Sequence, residues 1–133
     1  MYRVTKKIRF CYGHRLLRYS GPCRHLHGHN GLLEVHLAAE RLDERDMVVD
    51  FDDIKKAVKT WVDENLDHRM LLSREDPCLP VLEELGEPCY VFEGNPTAEN
   101  ICRVVYAQAK SSGLPVVEVR LWETETSWAA WSE

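Results

Sequence analysis

The chain has no apolar run long enough to cross a bilayer, which takes about 20 residues; the longest, such as Leu114 to Val117, span only a few positions. The opening Met1-Tyr2-Arg3-Val4-Thr5 carries no apolar signal core, so a cytoplasmic protein without a membrane partner is expected. There is no basic arm. The 17 Lys and Arg are interleaved with 22 Asp and Glu, the formal net charge is −5, and nucleic acid is not an expected partner. Internal repeats and low-complexity stretches are also absent, which leaves out solenoids and disordered linkers. Five cysteines, at 11, 23, 78, 89 and 102, form an odd set without regular spacing. In a chain with no export signal this argues against a disulfide framework and for reduced thiols. Cys11, Cys78, Cys89 and Cys102 are expected to be small buried hydrophobes.

What is present suits one globular domain. At 133 residues and 44% hydrophobic composition, residues 1–133 are expected to share a single core. A domain of this size leaves much surface exposed, which favours a homo-oligomer. Tyr2, Val4, Ile8 and Phe10 alternate with Arg3, Thr5, Lys7 and Arg9, the period of a half-buried strand. Leu33, Val35 and Leu37 mark a second strand, predicted to run antiparallel to the first after a turn at Ser20-Gly21-Pro22.

Ile54, Ala57, Val58, Trp61 and Val62 keep a helical stripe behind the acidic cap candidates Asp50 to Asp53. From Ser73 to Pro88 the prolines and Gly86 predict loop with at most a short turn of helix. A short strand precedes the second helix, which Thr97 caps and which stops near Ser111-Ser112-Gly113. Val117, Val119, Leu121 and Glu123 then share one face of a strand, and Trp128 to Trp131 forms its hairpin partner. The expectation is an α+β domain with two helices packed on one face of the sheet.

The strongest chemical signal is Arg24-His25-Leu26-His27-Gly28-His29, which holds three of the six histidines. Residues two apart on an extended segment face the same way, so His27 and His29 can aim two imidazoles at one point. Catalytic zinc takes three protein ligands and keeps a fourth position open. The third ligand can be His14, just past the first strand, with His25, His36 and His68 as competitors. A closed structural site that adds Cys23 as a fourth ligand is the other zinc reading, and a plain polar strand face is the simplest alternative.

Beyond the histidines, six segments in order resemble the family of 6-pyruvoyl-tetrahydropterin synthase and bacterial 6-carboxy-tetrahydropterin synthase along the whole chain. They are Phe10 to His14, Cys23 to His29, Met47 to Phe51, Leu66-Asp67-His68, Asn95 to Asn100, and Glu123-Thr124. The resemblance implies the tunnelling fold, an antiparallel four-stranded sheet with two helices on one face. Its subunits join into barrels, as a hexamer or another trimer-based homo-oligomer, with active sites between subunits.

It also implies that His14, His27 and His29 bind catalytic Zn2+, and that Cys23, Asp67 and His68 form a proton-transfer set. Glu123 would grip the pterin ring, with Thr97 beside the substrate. The implied reaction converts 7,8-dihydroneopterin triphosphate to 6-carboxy-5,6,7,8-tetrahydropterin, acetaldehyde and triphosphate, on the route to queuosine. The runner-up retains the side chain as a pyruvoyl group, and a noncatalytic zinc module is a third possibility.

Two departures from the family pattern stand out. Bulkier Cys11 and Tyr12 precede Gly13-His14, where many relatives carry small residues. His25 adds an imidazole near Cys23. Arg9, Arg15 and Arg24 are unranked candidates for the triphosphate.

Overall fold

A computed structural model describes every residue, Met1–Glu133. Alternation in the first segment produces β1 (Tyr2–His14), which buries Ile8, Phe10, Tyr12 and His14 and exposes Arg3, Thr5, Lys7 and Arg9. It pairs antiparallel along its whole length with β2 (His27–Ala39), from Tyr2 opposite Ala39 to His14 opposite His27. Both strands run further toward the histidines than the apolar period indicates. The alternation continues there, but in imidazoles and glycines, which a hydrophobic count does not register.

The sheet has six strands, in the order β4-β3-β1-β2-β5-β6. The expected antiparallel four-stranded sheet is the contiguous block β1-β2-β5-β6, which ends at the β6 edge, with β5 at Val116–Thr124 and β6 at Ser127–Ser132. The expectation is corrected by β3 (Arg69–Ser73) and β4 (Cys89–Phe92). β3 pairs parallel to β1, and β4 parallel to β3. β3 does not alternate because Leu71, Leu72 and Ser73 are all buried, so period-two reasoning passes over it. The segment expected as loop holds a two-turn helix, α3 (Cys78–Glu84).

A bulge between His36 and Leu37 brings Val116 opposite Leu37. As a result Val116 is buried and Val117 is not, which reverses the expected parity at the start of β5.

Two helical units cover one face. The first is continuous: α1 (Phe51–Ile54), a π-helical stretch Lys55–Lys59, then α2 (Thr60–Asn65). Ile54, Val58, Val62 and Leu66 are fully buried at intervals of four. In an α-helix that interval drifts about 40° per step; the wider π turn holds the row on the sheet. The second unit is α4 (Ala98–Ser111), capped by Thr97, whose Oγ1 accepts the Asn100 amide at 3.2 Å. Ile101, Val105 and Ala109 from α4 meet Ile8, Phe10, Leu33, Val35, Val119 and Leu121 in one core. No helix is long and apolar enough to cross a membrane.

Asp76, with no exposed side-chain surface, receives two hydrogen bonds from Arg15, one of them from Nε at 2.7 Å. The Arg15 guanidinium holds the Asp76 carboxyl below the usual carboxylate range, against the opposing effect of burial. A carboxyl depressed in the folded state stabilises above its unfolded pKa, and loses that effect as pH falls through its folded pKa. Arg15→Ala is therefore expected to cost about 3 kcal/mol at neutral pH, with a penalty that shrinks on acidification. Urea unfolding at both pH values checks this.

Candidate active site

The ladder between β1 and β2 assembles the histidines. His14 lies opposite His27, Tyr12 lies opposite His29, and alternation turns all four side chains to the helix-covered face of the sheet. The imidazole centroids of His14, His27 and His29 are 4.6–5.1 Å apart, and one ligand atom from each falls within 4.8 Å of the others.

Their Nε2 atoms are buried, and none has a hydrogen-bond partner. Three orphaned buried nitrogens at one point would be costly unless a cation occupies the space between them. His14 Nδ1 donates to the Pro96 carbonyl and His27 Nδ1 to the His25 carbonyl, both at 2.7 Å. A carbonyl only accepts, so each Nδ1 carries the proton and each Nε2 keeps its lone pair. Burial lowers the pKa of His14, which also favours the neutral ligand form.

The competitors for third place lie elsewhere. His36 Nε2 sits 3.4 Å from Glu34 and 3.8 Å from Glu118, and His68 pairs with Asp67. His25 contributes its carbonyl, through His27, rather than its ring. Cys23 is not part of the histidine cluster, so the arrangement has the composition of an open three-ligand centre rather than a closed one containing sulfur.

The motif around Asn95 explains how His14 is aimed. Asn95 Oδ1 accepts the Leu17 amide and Asn95 Nδ2 donates to the Leu17 carbonyl, both at 2.8 Å. Asn100 Nδ2 in turn binds the Asn95 carbonyl. These bonds pin the chain after β1 to the start of α4 and place the Pro96 carbonyl against His14.

A cavity of about 310 Å³ opens beside the histidine cluster. It is lined by His14, Cys23, Thr97, Glu99, Glu123 and Trp128, among others. Four of the residues singled out in the sequence, His14, Cys23, Thr97 and Glu123, therefore share one space. Glu123 accepts a hydrogen bond from the buried Tyr12 hydroxyl at 2.7 Å.

The Asp67–His68 pair is placed differently. Asp67 Oδ2 meets His68 Nδ1 at 2.8 Å, and Asp67 Oδ1 accepts the Cys11 amide at 2.9 Å. The His68 amide donates to the Cys11 carbonyl. This grip holds His68 at a φ of 56°, in the left-handed region. Burial would raise the Asp67 carboxyl, but the bonds from Cys11 and His68 bring it below the usual range.

Within one chain, then, the pair stands beside Cys11, on the opposite face of β1 from His14, and His68 lines a second cavity of about 650 Å³, which also borders His27 and His29 but not Cys23. It does not meet Cys23 there, and the cysteine beside it is Cys11. The five thiols are free, but only Cys102 is buried; Cys11, Cys78 and Cys89 are half-buried, contrary to expectation. Cys11 is one of the residues that line the 650 Å³ cavity.

A family model described as 6-pyruvoyl tetrahydropterin synthase matches residues 3–133. The chain belongs to the 6-pyruvoyl tetrahydropterin synthase family. It is 43% identical, over 103 residues, to a 6-carboxy-5,6,7,8-tetrahydropterin synthase from Rickettsia bellii, covering 76% of this chain and 75% of that one. A protein of the same name from Haemophilus influenzae is 30% identical with full coverage of both chains. Among solved structures, an uncharacterized protein from Wolinella succinogenes superposes with a TM-score of 0.83 at 29% identity, covering 99% of this chain and 98% of that one. The α+β fold, with its curled mixed sheet and helices on one face, is that of the 6-pyruvoyl tetrahydropterin synthase family.

Tyr12, Trp128 and the carbonyls of His25 and Pro96 were not anticipated as parts of the site. Parity places Tyr12 on the face of His14, a readable signal. The carbonyls leave no trace in residue type.

Proposed function

We propose that this member of the family is a zinc-dependent lyase, a 6-carboxy-5,6,7,8-tetrahydropterin synthase that forms acetaldehyde and triphosphate from 7,8-dihydroneopterin triphosphate. The observation that carries the reading is the convergence of three orphaned Nε2 atoms beside a cavity holding Cys23 and Glu123. The names of the Rickettsia and Haemophilus relatives support the choice of product.

His14, His27 and His29 would hold Zn2+, three nitrogen donors being a set that zinc accepts with a position left for substrate. When bound, the ion supplies a Lewis acid that acidifies a side-chain hydroxyl of the substrate. Glu123 presents two oxygens to paired N–H donors on the pterin edge, as a carboxylate does to a guanidinium. Thr97, beside it, closes the cavity at the N-terminus of α4. Cys23 moves protons along the substrate side chain, and as a thiol it needs a neighbouring base to do so at neutral pH.

His68, oriented by Asp67, has the composition for that task but lies on the other side of its own β1. A neighbouring copy in a homo-oligomer supplies it in this reading, so the site is complete only between subunits. The triphosphate contacts narrow as well. Arg15 is committed to Asp76, and Arg24 Nη1 donates to the Ser20 carbonyl, whereas Arg9 is exposed on β1.

The family description favours one second reading, in which the side chain is retained as a pyruvoyl group. Incubation with the triphosphate substrate separates the two. The first predicts acetaldehyde in equal amount to released triphosphate; triphosphate without acetaldehyde supports the second.

A further inference from the structure

Three observations meet at Tyr12. Its ring is stacked on Phe10 at 5.0 Å, stands edge-on to His14 at 5.2 Å and is tilted against His29 at 5.6 Å. Gly31 makes room for it: a Cβ there would come within 3.0 Å of both the Tyr12 and Phe10 rings. The hydroxyl at the end of this packed ring donates to Glu123 Oε1 at 2.7 Å.

The same carboxylate stands close to the metal cluster. Oε1 is 3.7 Å from His14 Nε2, and Oε2 is 4.0 Å from His29 Nε2. Ligands about 2.1 Å from a tetrahedral zinc ion lie roughly 3.4 Å from one another. A small swing of Glu123 would therefore make it a fourth ligand and close the position that substrate needs. Coordination to the ion and bidentate capture of a pterin edge compete for one carboxylate.

We propose that Tyr12 is a positioning residue whose hydroxyl holds Glu123 back from the three-histidine centre and keeps its carboxylate turned to the substrate cavity. The proposal rests on the reading that the histidines hold zinc and that Glu123 receives the pterin. The rigid ring fixes where the hydroxyl stands, so the hydrogen bond sets the position of the carboxylate as well as its solvation. Tyr12 itself touches neither the ion nor the substrate in this account.

The test compares wild type, Tyr12→Phe, Glu123→Gln and the double variant. Three quantities are read without turnover: the dissociation constant for Co2+ by chelator competition, the visible spectrum of the Co2+ form, and the affinity for 7,8-dihydroneopterin. Tyr12→Phe is expected to bind Co2+ at least about tenfold more tightly, the scale of one hydrogen bond to a charged group. Its spectrum should change, and its pterin affinity should fall by about tenfold. In the double variant the metal affinity and spectrum should return to those of Glu123→Gln alone.

Wild-type values for all three quantities in Tyr12→Phe, with pterin binding lost in Glu123→Gln, would overturn the latch and leave the role of Glu123 standing. Weaker Co2+ binding in Tyr12→Phe would also overturn it, since that is the mark of packing alone. Unchanged pterin affinity in Glu123→Gln would remove the underlying reading together with the latch. Tyr12→Leu, read on the same three quantities, serves as the second variant and carries the same expectations and the same refuting outcomes.

Discussion

Cys23→Ala is expected to keep its full complement of zinc while kcat falls by about 10³, the middle of the range for a positioned acid or base. Cys23 shares the cavity of His14 and Glu123, and it is absent from the cluster of atoms that can hold the metal. Zinc content by elemental analysis and single-turnover rates measure the two halves separately. Loss of zinc together with activity would make Cys23 a ligand.

The placement of Asp67 and His68 extends this prediction. If a neighbouring copy supplies the pair, inactive Cys23→Ala and inactive His68→Ala chains should regain part of the wild-type activity when dissociated and reassembled together. Mixed assemblies then contain some sites with both residues intact. No recovery in such mixtures would place the whole proton relay within one chain, and would require β3 and the segment before it to move.

His27→Ala should lose metal and activity together. Two imidazoles are left, and an outer partner of a ligand alone is commonly worth 10- to 100-fold in metal affinity. Removal of the ligand itself is therefore expected to weaken zinc by more than about 100-fold and leave the purified protein largely without metal. The fold should survive, because the core formed by Ile8, Leu33, Val35, Ile54, Val58, Ile101 and Leu121 lies further along the sheet. A circular-dichroism spectrum like wild type, with zinc lost and turnover abolished, is the expected combination. Full zinc retention would contradict the ligand assignment.

How far the site was legible differs from residue to residue. His27 and His29 follow from period two alone, because an extended segment turns them to one face. His14 was one of several candidates for third ligand, and its choice depends on the pairing register, which places it directly opposite His27. Glu123 was readable by parity from Val119 and Leu121, which are buried in the core beside the cavity.

Asp67 and His68 were placed in one functional set with Cys23, yet the fold puts them against Cys11, because β3 enters the sheet parallel to β1 just after them. A non-local strand pairing of that kind leaves no local pattern. The same holds for β3 itself and for the π turn: one lacks alternation, and the other preserves an apolar row that an α-helix would also have suggested. The Tyr12 hydroxyl, finally, reads as one more core aromatic until the distance to Glu123 is known.

In the proposed site three imidazoles, without sulfur, make the metal centre and leave room for substrate. X-ray absorption at the zinc edge of the purified protein tests it most directly. Three nitrogen neighbours from imidazole at about 2.0–2.1 Å, with the rest of the shell oxygen, is the predicted result. A sulfur neighbour at about 2.3 Å would bring Cys23 into the coordination sphere and contradict the account.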